Sequence, residues 1–461
     1  MFIGRANELS QMQSLYHTNG FQCMIIWGRR RVGKTTLINE FVKDKPTIYF
    51  MATESTAKDN LESFSQSIAE FHGISQDIAP NYSSFEQALN AIYEISKKQR
   101  LILVIDEYPY LAKAYKPISS LLQKLIDLQF KKDSHLYIIL CGSSMSFMEK
   151  QVLGYQSPLY GRRTGQLQIN PFDFYEYKNY YQNFSPEELA IVYGITSGIP
   201  QYMFFFNDQL SLQENIIKNF LTPSGYLFEE PSNLLKQELR EPTVYNAIIK
   251  AVATGSSKSS EITSKVGLES ASKLALYMDK LLELGIIEKE TPLGEKAGKK
   301  TIYSVKDGMF NFWYRFIPTN LLLIQRNMGS LAWENIEPLI GNYMGKTFEK
   351  ICIDYLWHNY ANLPMHFQQI GRWWGTNPKL KRQEEIDIVA VNDNSAIVAE
   401  CKWRNEKTDE NVLFTLLERA TLLSYPQKHY YIFSKSGFTD KCKQAAKINN
   451  VHLITYQDML K

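Results

Sequence analysis

The stretch that most constrains this chain is residues 23–36, "CMIIWGRRRVGKTT", followed by "LINEFV". An unbroken apolar run reads as a strand buried on both faces, and a glycine-rich turn that opens a helix aims several backbone N–H groups at one point. That point suits a phosphate. The spacing G-x-x-x-x-G-K-T assigns the parts: Gly28 and Gly33 let the backbone curl, Lys34 reaches the β and γ phosphates, and the Thr35 hydroxyl meets magnesium, with Thr36 beside it. The implied cofactors are ATP and Mg2+. Arg29, Arg30 and Arg31 occupy the variable positions of the loop and are given no chemistry.

The order of elements after the loop supports the same reading. "TIYFMAT", "LILVIDEYPYLA" and "HLYIILCGSS" read as strands, separated by the helical patterns "LESFSQSIAEFHG", "SSFEQALNAIYEISKKQ" and "PISSLLQKLIDLQF". Strands with near-continuous apolar cores, alternating with helices, predict an α/β parallel sheet covered on both sides. An aspartate where such a strand ends beside a phosphate loop holds the metal through water, and an adjacent carboxylate orients and deprotonates the attacking water. Asp106 takes the first role and Glu107 the second. In "CGSS", Ser143 or Ser144 senses the γ-phosphate or is simply a small polar strand exit.

Composition narrows the frame. A chain of 461 residues suggests about three domains, and 44% hydrophobic with 13% aromatic residues fills several cores. A net charge of +3 announces no polyanion partner, so nucleic-acid contact rests on local patches. Five scattered cysteines, mostly within apolar runs, read as buried thiols of a reducing compartment, and the seven histidines show no metal-ligand spacing. No apolar stretch approaches the ~20 residues that cross a bilayer, and the amino terminus lacks the apolar core of a signal peptide. The expectation is a cytoplasmic protein with no membrane partner.

"FIGRANEL", "GRRRVGKTT", "LILVIDEYPYL", "CGSSMSFMEK", "SPLYGRRTGQLQINPFDFYEY" and "ITSGIPQYM" occur in the order seen in archaeal-type ATPases of the STAND group, relatives of the AAA+ proteins, which residues 1–310 resemble. The resemblance implies that Arg5 and Glu8 belong to the nucleotide-site entrance, although Asn7 stands where family members often carry glutamate. It implies that Arg162 or Arg163 reaches the phosphates from the domain edge. Gly198 and Pro200 resemble the Gly-x-Pro element of a helical lid that senses the nucleotide; read from residues alone, "GIPQ" is also a helix break. Such ATPases assemble when switched on, which implies a homo-oligomer in the ATP state.

Residues 243–305 change character. "TVYNAIIKAVATG", "SSEITSKVG" and "SASKLALYMDKLLELGIIEKE" read as three helices and "TPLGEKAGKKTIYSV" as a glycine-tipped hairpin, the order of a winged helix-turn-helix. Lys258, Lys265, Lys273 and Lys280, with wing lysines Lys296, Lys299 and Lys300, are candidates for DNA phosphates, but acids are interleaved and such modules also pack on protein.

The last stretch carries a second constellation. "GKTFEKICIDYLWHNY" reads as a helix, "HFQQIGRWW" as a strand, "EEIDIVAV" and "AIVAECKWR" as strands joined by "NDNS", "NVLFTLLERATLLS" as a helix and "HYYIFS" as a strand. This αβββαβ order resembles the restriction-nuclease-like PD-(D/E)xK core, with Glu349, Asp387, Glu400 and Lys402 at its acid, aspartate and Glu-x-Lys positions. Alternate strand residues share a face, so Glu400 and Lys402 project together and Asp387 meets Glu400 across the hairpin. Two adjacent carboxylates bind a hard divalent cation, and a lysine beside them positions the attacking water. Arg404 continues that face toward a nucleic-acid backbone. Trp373 and Trp374 lie near it and read first as packing. The expected domains are 1–165 ATPase, 166–240 helical lid, 241–310 winged helix, 311–340 connection and 341–461 nuclease-like. The expected function is an ATP-driven switch acting on DNA, or a regulatory module whose terminal domain is an inactive scaffold.

Overall fold

The computed structural model describes residues 2–75, 81–239, 241–296, 298 and 300–461. Lys299 lies outside the described residues. The chain divides into two compact units, one of residues 1–171 with 199–201 and one of residues 172–198 with 202–461.

The first unit is built on β1 Gln22–Trp27, β2 Thr47–Met51, β3 Leu101–Asp106, β4 Leu136–Gly142 and β5 Gly165–Gln168. They lie in the order β2-β3-β4-β1-β5, and every pairing is parallel. All residues of β1, β3 and β4 are buried, as the apolar runs require of a sheet covered on both faces. Ile25, Leu103 and Leu140 point to one core with Phe64 and Leu89, and Met24, Val104 and Ile139 to the other with Leu37 and Phe41. The expected strand "LILVIDEYPYLA" is shorter than its apolar run: it stops at Asp106, Glu107 turns left-handed with φ 51°, and Tyr108–Ala114 is a helix with proline in its first turn. Proline fits there because the first helical N–H groups have no intrahelical acceptor. The short, half-buried β5 lacks an apolar run and carries no strand signal in the sequence.

The second unit begins with the short helix Phe174–Lys178 and continues with helices Pro186–Thr196, Leu212–Phe220 and Tyr226–Glu238, the first three opened by capping boxes at Asp173, Ser185 and Ser211. Helices Pro242–Ala253, Ser259–Val266 and Ala271–Glu283 precede the antiparallel hairpin of β6 Ile287–Glu290 and β7 Ile302–Val305, in winged-helix order. Residues 311–340, expected as a connection, are mostly helical within Gly308–Gln325 and Gly329–His358.

The long second helix runs onto a mixed sheet of β8 Gln369–Asn377, β9 Arg382–Val391, β10 Ser395–Lys402, β11 Gln427–Ser434 and β12 Val451–Thr455, in the order β12-β11-β10-β9-β8. β8, β9 and β10 pair antiparallel, and β10, β11 and β12 parallel, the crossovers being helices Glu410–Ala420 and Asp440–Asn449. The pair Asp440–Asn449 and β12 extends the sheet beyond the expected αβββαβ set. The wing covers the edge strand: Leu293 N–H donates to the Arg372 carbonyl at 2.9 Å and the Trp374 indole to the Lys300 carbonyl at 3.1 Å. An edge so covered is closed to pairing with another chain.

Candidate functional site

The glycines of the phosphate loop are fixed by contact as well as turn geometry. A Cβ on Gly28 would stand 2.3 Å from the Ile169 carbonyl oxygen, just past β5, and Gly33 has φ 87°. Helix Lys34–Val42 starts at Lys34, whose buried ammonium donates to the carbonyls of Gly28 and Arg29 at 2.9 Å each. Burial holds its pKa below the ordinary lysine value, against the charges of Cys141, Glu107 and Asp106. Thr35 Oγ1 donates to Asp106 Oδ2 at 2.9 Å, and Thr36 is exposed on the first helical turn. Asp106, 1% exposed, also accepts from the Tyr49 hydroxyl at 2.7 Å and from the Glu107 N–H at 2.9 Å.

Glu107 faces Ser143, whose hydroxyl donates to its carboxylate at 2.9 Å and whose N–H does so at 3.3 Å. Arg5 is a buried clamp: it pairs with Glu8 at 3.1 Å and donates to the Val32 carbonyl within the loop and to that of Asn170. Pro200 closes on the loop as well, 3.7 Å from where a Gly33 Cβ would be, and the Gln201 N–H approaches the Arg31 carbonyl at 3.4 Å. Arg30 donates to the Tyr110 hydroxyl at 2.6 Å.

Arg162 is a correction. It forms a fork with Asp127 at 2.7–3.1 Å, and it precedes β5, whose neighbouring Thr164 N–H bonds the carbonyl of Cys23 near the start of β1. Phosphate-loop residues follow the other end of β1, so a six-residue strand of roughly 20 Å separates them from Arg162. Arg163 donates to the Leu153 carbonyl at 3.1 Å. The sequence reading missed Tyr49, whose place on the strand beside β3 only sheet order reveals.

In the second unit the four predicted residues lie close together, though not as a metal cage. The Lys402 ammonium is 2.6 Å from Glu400 and 3.9 Å from Asp387. The Cys401 N–H donates to Asp387 at 2.8 Å. Burial and then the charge of Glu400 raise Asp387 to about 6, and burial and then the charge of Asp387 raise Glu349 to about 8. Two further arginines enter: Arg419 from helix Glu410–Ala420 lies 3.4 Å from Glu400 and 2.9 Å from Glu384, and Arg372 from β8 lies 3.3 Å from Glu349 and 3.1 Å from Glu290 of the wing. Among the described residues no three His, Cys, Asp or Glu side chains are grouped to hold a metal ion. Arg404 does not continue the Glu400 face, because β10 ends at Lys402; it lines a separate cleft. Several winged-helix lysines are paired, Lys273 with Glu269, Lys280 with Glu283 and Lys300 with Glu295, and Lys265 donates to Thr254.

Residues 2–205 match a family described as an ATPase domain predominantly from Archaea, and residues 313–412 one described as archaeal and bacterial proteins of unknown function. An uncharacterised protein of Methanocaldococcus jannaschii, MJECL04, is 33% identical over 444 residues, covering 94% of this chain and 96% of its own. The chain belongs to this family of archaeal-type P-loop ATPases. A 45-residue stretch of the ATPase is 42% identical to the uncharacterised ATP-binding protein MJ0423 of the same organism, covering 10% of this chain and 76% of that protein. Among solved structures the ATPase resembles the Walker-type ATPase PABY2304 of Pyrococcus abyssi, with TM-score 0.51 and 19% identity over 68% of this chain and 96% of that one, a likeness of fold. No helix among the described residues is long and apolar enough to cross a membrane.

The loop residues fit the nucleotide this family hydrolyses. The cradle at Gly28 admits no side chain, a buried ammonium stands at its mouth, and a hydroxyl and a carboxylate meet at 2.9 Å, where a hard cation takes oxygen ligands.

Proposed function

We propose that this ATPase is a nucleotide-controlled switch that acts on DNA, and that its terminal sheet is a PD-(D/E)xK-type, metal-dependent nuclease domain. In the first unit Lys34 and the loop N–H groups would hold the phosphates, Thr35 directly and Asp106 through water would hold Mg2+, and Glu107 would orient the attacking water and take its proton. Bound Mg2+ would supply neutralisation of the charge developing on the transferred phosphoryl group. Ser143 holds Glu107 until the nucleotide competes for it. Pro200 and Gln201, against the loop, make residues 199–201 the reporter of nucleotide state to the lid. The active form is a homo-oligomer.

The observation that carries the nuclease reading is the Lys402 ammonium standing between Glu400 and Asp387 on one hairpin. Asp387 and Glu400 would hold a divalent cation through the one or two carboxylates that Mg2+ takes when water and phosphate complete its shell. Lys402 orients the water, and Glu349 adds a proton-bearing carboxyl beside Asp387. A second reading has its own support: Arg419 on Glu400 and Arg372 on Glu349 neutralise the acids from within, as in a structural ion network. The terminal domain is then an inactive scaffold of a regulatory module.

Plasmid cleavage by the purified protein with Mg2+ or Mn2+, with and without ATP, separates the two. The nuclease reading predicts nicking that falls at least a hundredfold in Asp387→Ala and responds to ATP only when Lys34 is intact. Absence of cleavage on duplex and single-stranded DNA, with ATP hydrolysis intact, selects the scaffold.

A further inference from the structure

Asp106 ends β3, which lies between β2 and β4, and its carboxylate is held from both neighbours. β2 and β3 run parallel, with Tyr49 paired to Val104 and Met51 to Asp106. Alternate residues of a strand share a face, so Tyr49, Val104 and Asp106 all point to the side of helix Lys34–Val42, where Val104 packs with Leu37 and Tyr49 lies against the same core. One strand over and two residues along is a span of roughly 8 Å, which a phenol bridges and a short side chain does not. The half-buried Tyr49 makes that reach, and its hydroxyl donates to Asp106 Oδ2 at 2.7 Å, the length of a charge-assisted hydrogen bond.

A carboxylate offers about four lone-pair places. Strong donors take three of them on Asp106: the hydroxyls of Tyr49 and Thr35 on Oδ2, and the Glu107 N–H on Oδ1. The Cys141 thiol, from β4 on the other side, hydrogen-bonds the same carboxylate. A thiol is a weak donor, so its place yields to a stronger one. The three strong donors are not equivalent. The Glu107 N–H belongs to the next residue of the chain, and the Thr35 hydroxyl must also turn a lone pair to the cation, so its direction changes with the ligand. Tyr49 alone of the three holds the carboxylate from a neighbouring strand, whatever the loop contains.

We propose that Tyr49 is a positioning residue for the magnesium site: its hydroxyl, anchored on the sheet, fixes the plane of the Asp106 carboxylate toward Thr35 and toward the water shell of the cation. The inference rests on the reading that Thr35 and Asp106 hold Mg2+. Tyr49 touches neither nucleotide nor cation and acts through Asp106, as outer partners orient the groups that meet a metal. Tyr49→Phe keeps the ring in its core and removes the one oxygen that holds Oδ2 from the sheet. The carboxylate is then free to turn, and the cation should add less to nucleotide binding while the phosphate loop itself is untouched.

Binding of a non-hydrolysable ATP analogue to the full chain is measured by calorimetry in Mg2+ and in EDTA, and the ratio of the two affinities reads what the cation adds. In Tyr49→Phe the ratio should fall at least fivefold, with the affinity in EDTA and the melting temperature of the nucleotide-free protein unchanged. Phosphate release should show the loss in KM for magnesium–ATP more than in kcat. Asp106→Asn should lower the ratio at least as far, and Tyr49→Phe added to it should lower it no further, because Tyr49 acts through that carboxylate. The proposal alone is overturned if Asp106→Asn lowers the ratio and Tyr49→Phe does not, if Tyr49→Phe weakens binding equally in EDTA, or if the two substitutions add. A ratio unchanged in Asp106→Asn overturns the metal reading of the site and this proposal with it.

Discussion

At the scale of single residues, the proposed function gives Lys34 the binding of nucleotide and Glu107 the chemistry. Lys34→Ala is expected to abolish nucleotide binding and with it phosphate release. Glu107→Gln keeps the Ser143 contact and the loop, so it should bind ATP nearly as wild type yet hydrolyse it at least a hundredfold more slowly, by phosphate release alongside a binding titration. The cysteines allow a test at the same scale. All five are buried, and burial pushes the Cys23 thiol up to about 12 despite the charges of Lys131 and Arg163. Ellman's reagent at pH 8 should therefore find no rapidly reacting thiol in the folded protein and five after denaturation. Because the folded pKa lies above the unfolded one, Cys23 costs no stability below pH 8.5, and its contribution is lost as pH rises toward 12. Most of the candidate nucleotide site is legible in the sequence because a phosphate loop is local: spacing alone singles out Gly28, Gly33, Lys34 and Thr35. Arg162 was misassigned for the opposite reason, since which end of a sheet a loop joins is settled by strand pairing.

At the scale of elements, the close approach of three helices in the second unit rests on two glycines and one tyrosine. A Cβ on Gly308 would stand 1.9 Å from the Gly194 carbonyl oxygen, and the Tyr343 hydroxyl lies 2.9 Å from that oxygen and 3.0 Å from the Gly308 carbonyl. Gly308→Ala should force helices Pro186–Thr196 and Gly308–Gln325 apart and destabilise the unit by roughly 2–4 kcal/mol, read as a lowered denaturant midpoint. Gly341→Ala, which meets nothing within 4 Å, is the control and should be neutral or slightly stabilising. The apolar strands β1, β3 and β4 announced themselves by continuous burial. β5 did not, because a half-buried edge strand of "GQLQ" has no periodicity to read. In the terminal sheet the hairpin carrying Asp387, Glu400 and Lys402 was legible from alternation. The partners of its acids were not, because Arg372 and Arg419 come from other elements.

At the scale of the whole molecule, a parallel sheet, a run of helices, a two-stranded hairpin and a mixed sheet follow one another along the chain. The division into compact units cuts differently: lid, winged helix and terminal sheet fall together, and residues 199–201 belong with the ATPase sheet although their neighbours do not. That exchange of three residues is invisible to composition or periodicity. It also frames the proposed switch, because Pro200 and Gln201 lie against the loop whose ligand they would report. The most direct test of nucleotide control is hydrogen–deuterium exchange with and without a non-hydrolysable ATP analogue and Mg2+, with Lys34→Ala as control. The account predicts slower exchange in residues 28–36, and also altered exchange in residues 172–205 and in the second unit beyond them, all lost in Lys34→Ala. Protection confined to the phosphate loop would contradict it, leaving an ATPase whose nucleotide the rest of the chain does not sense.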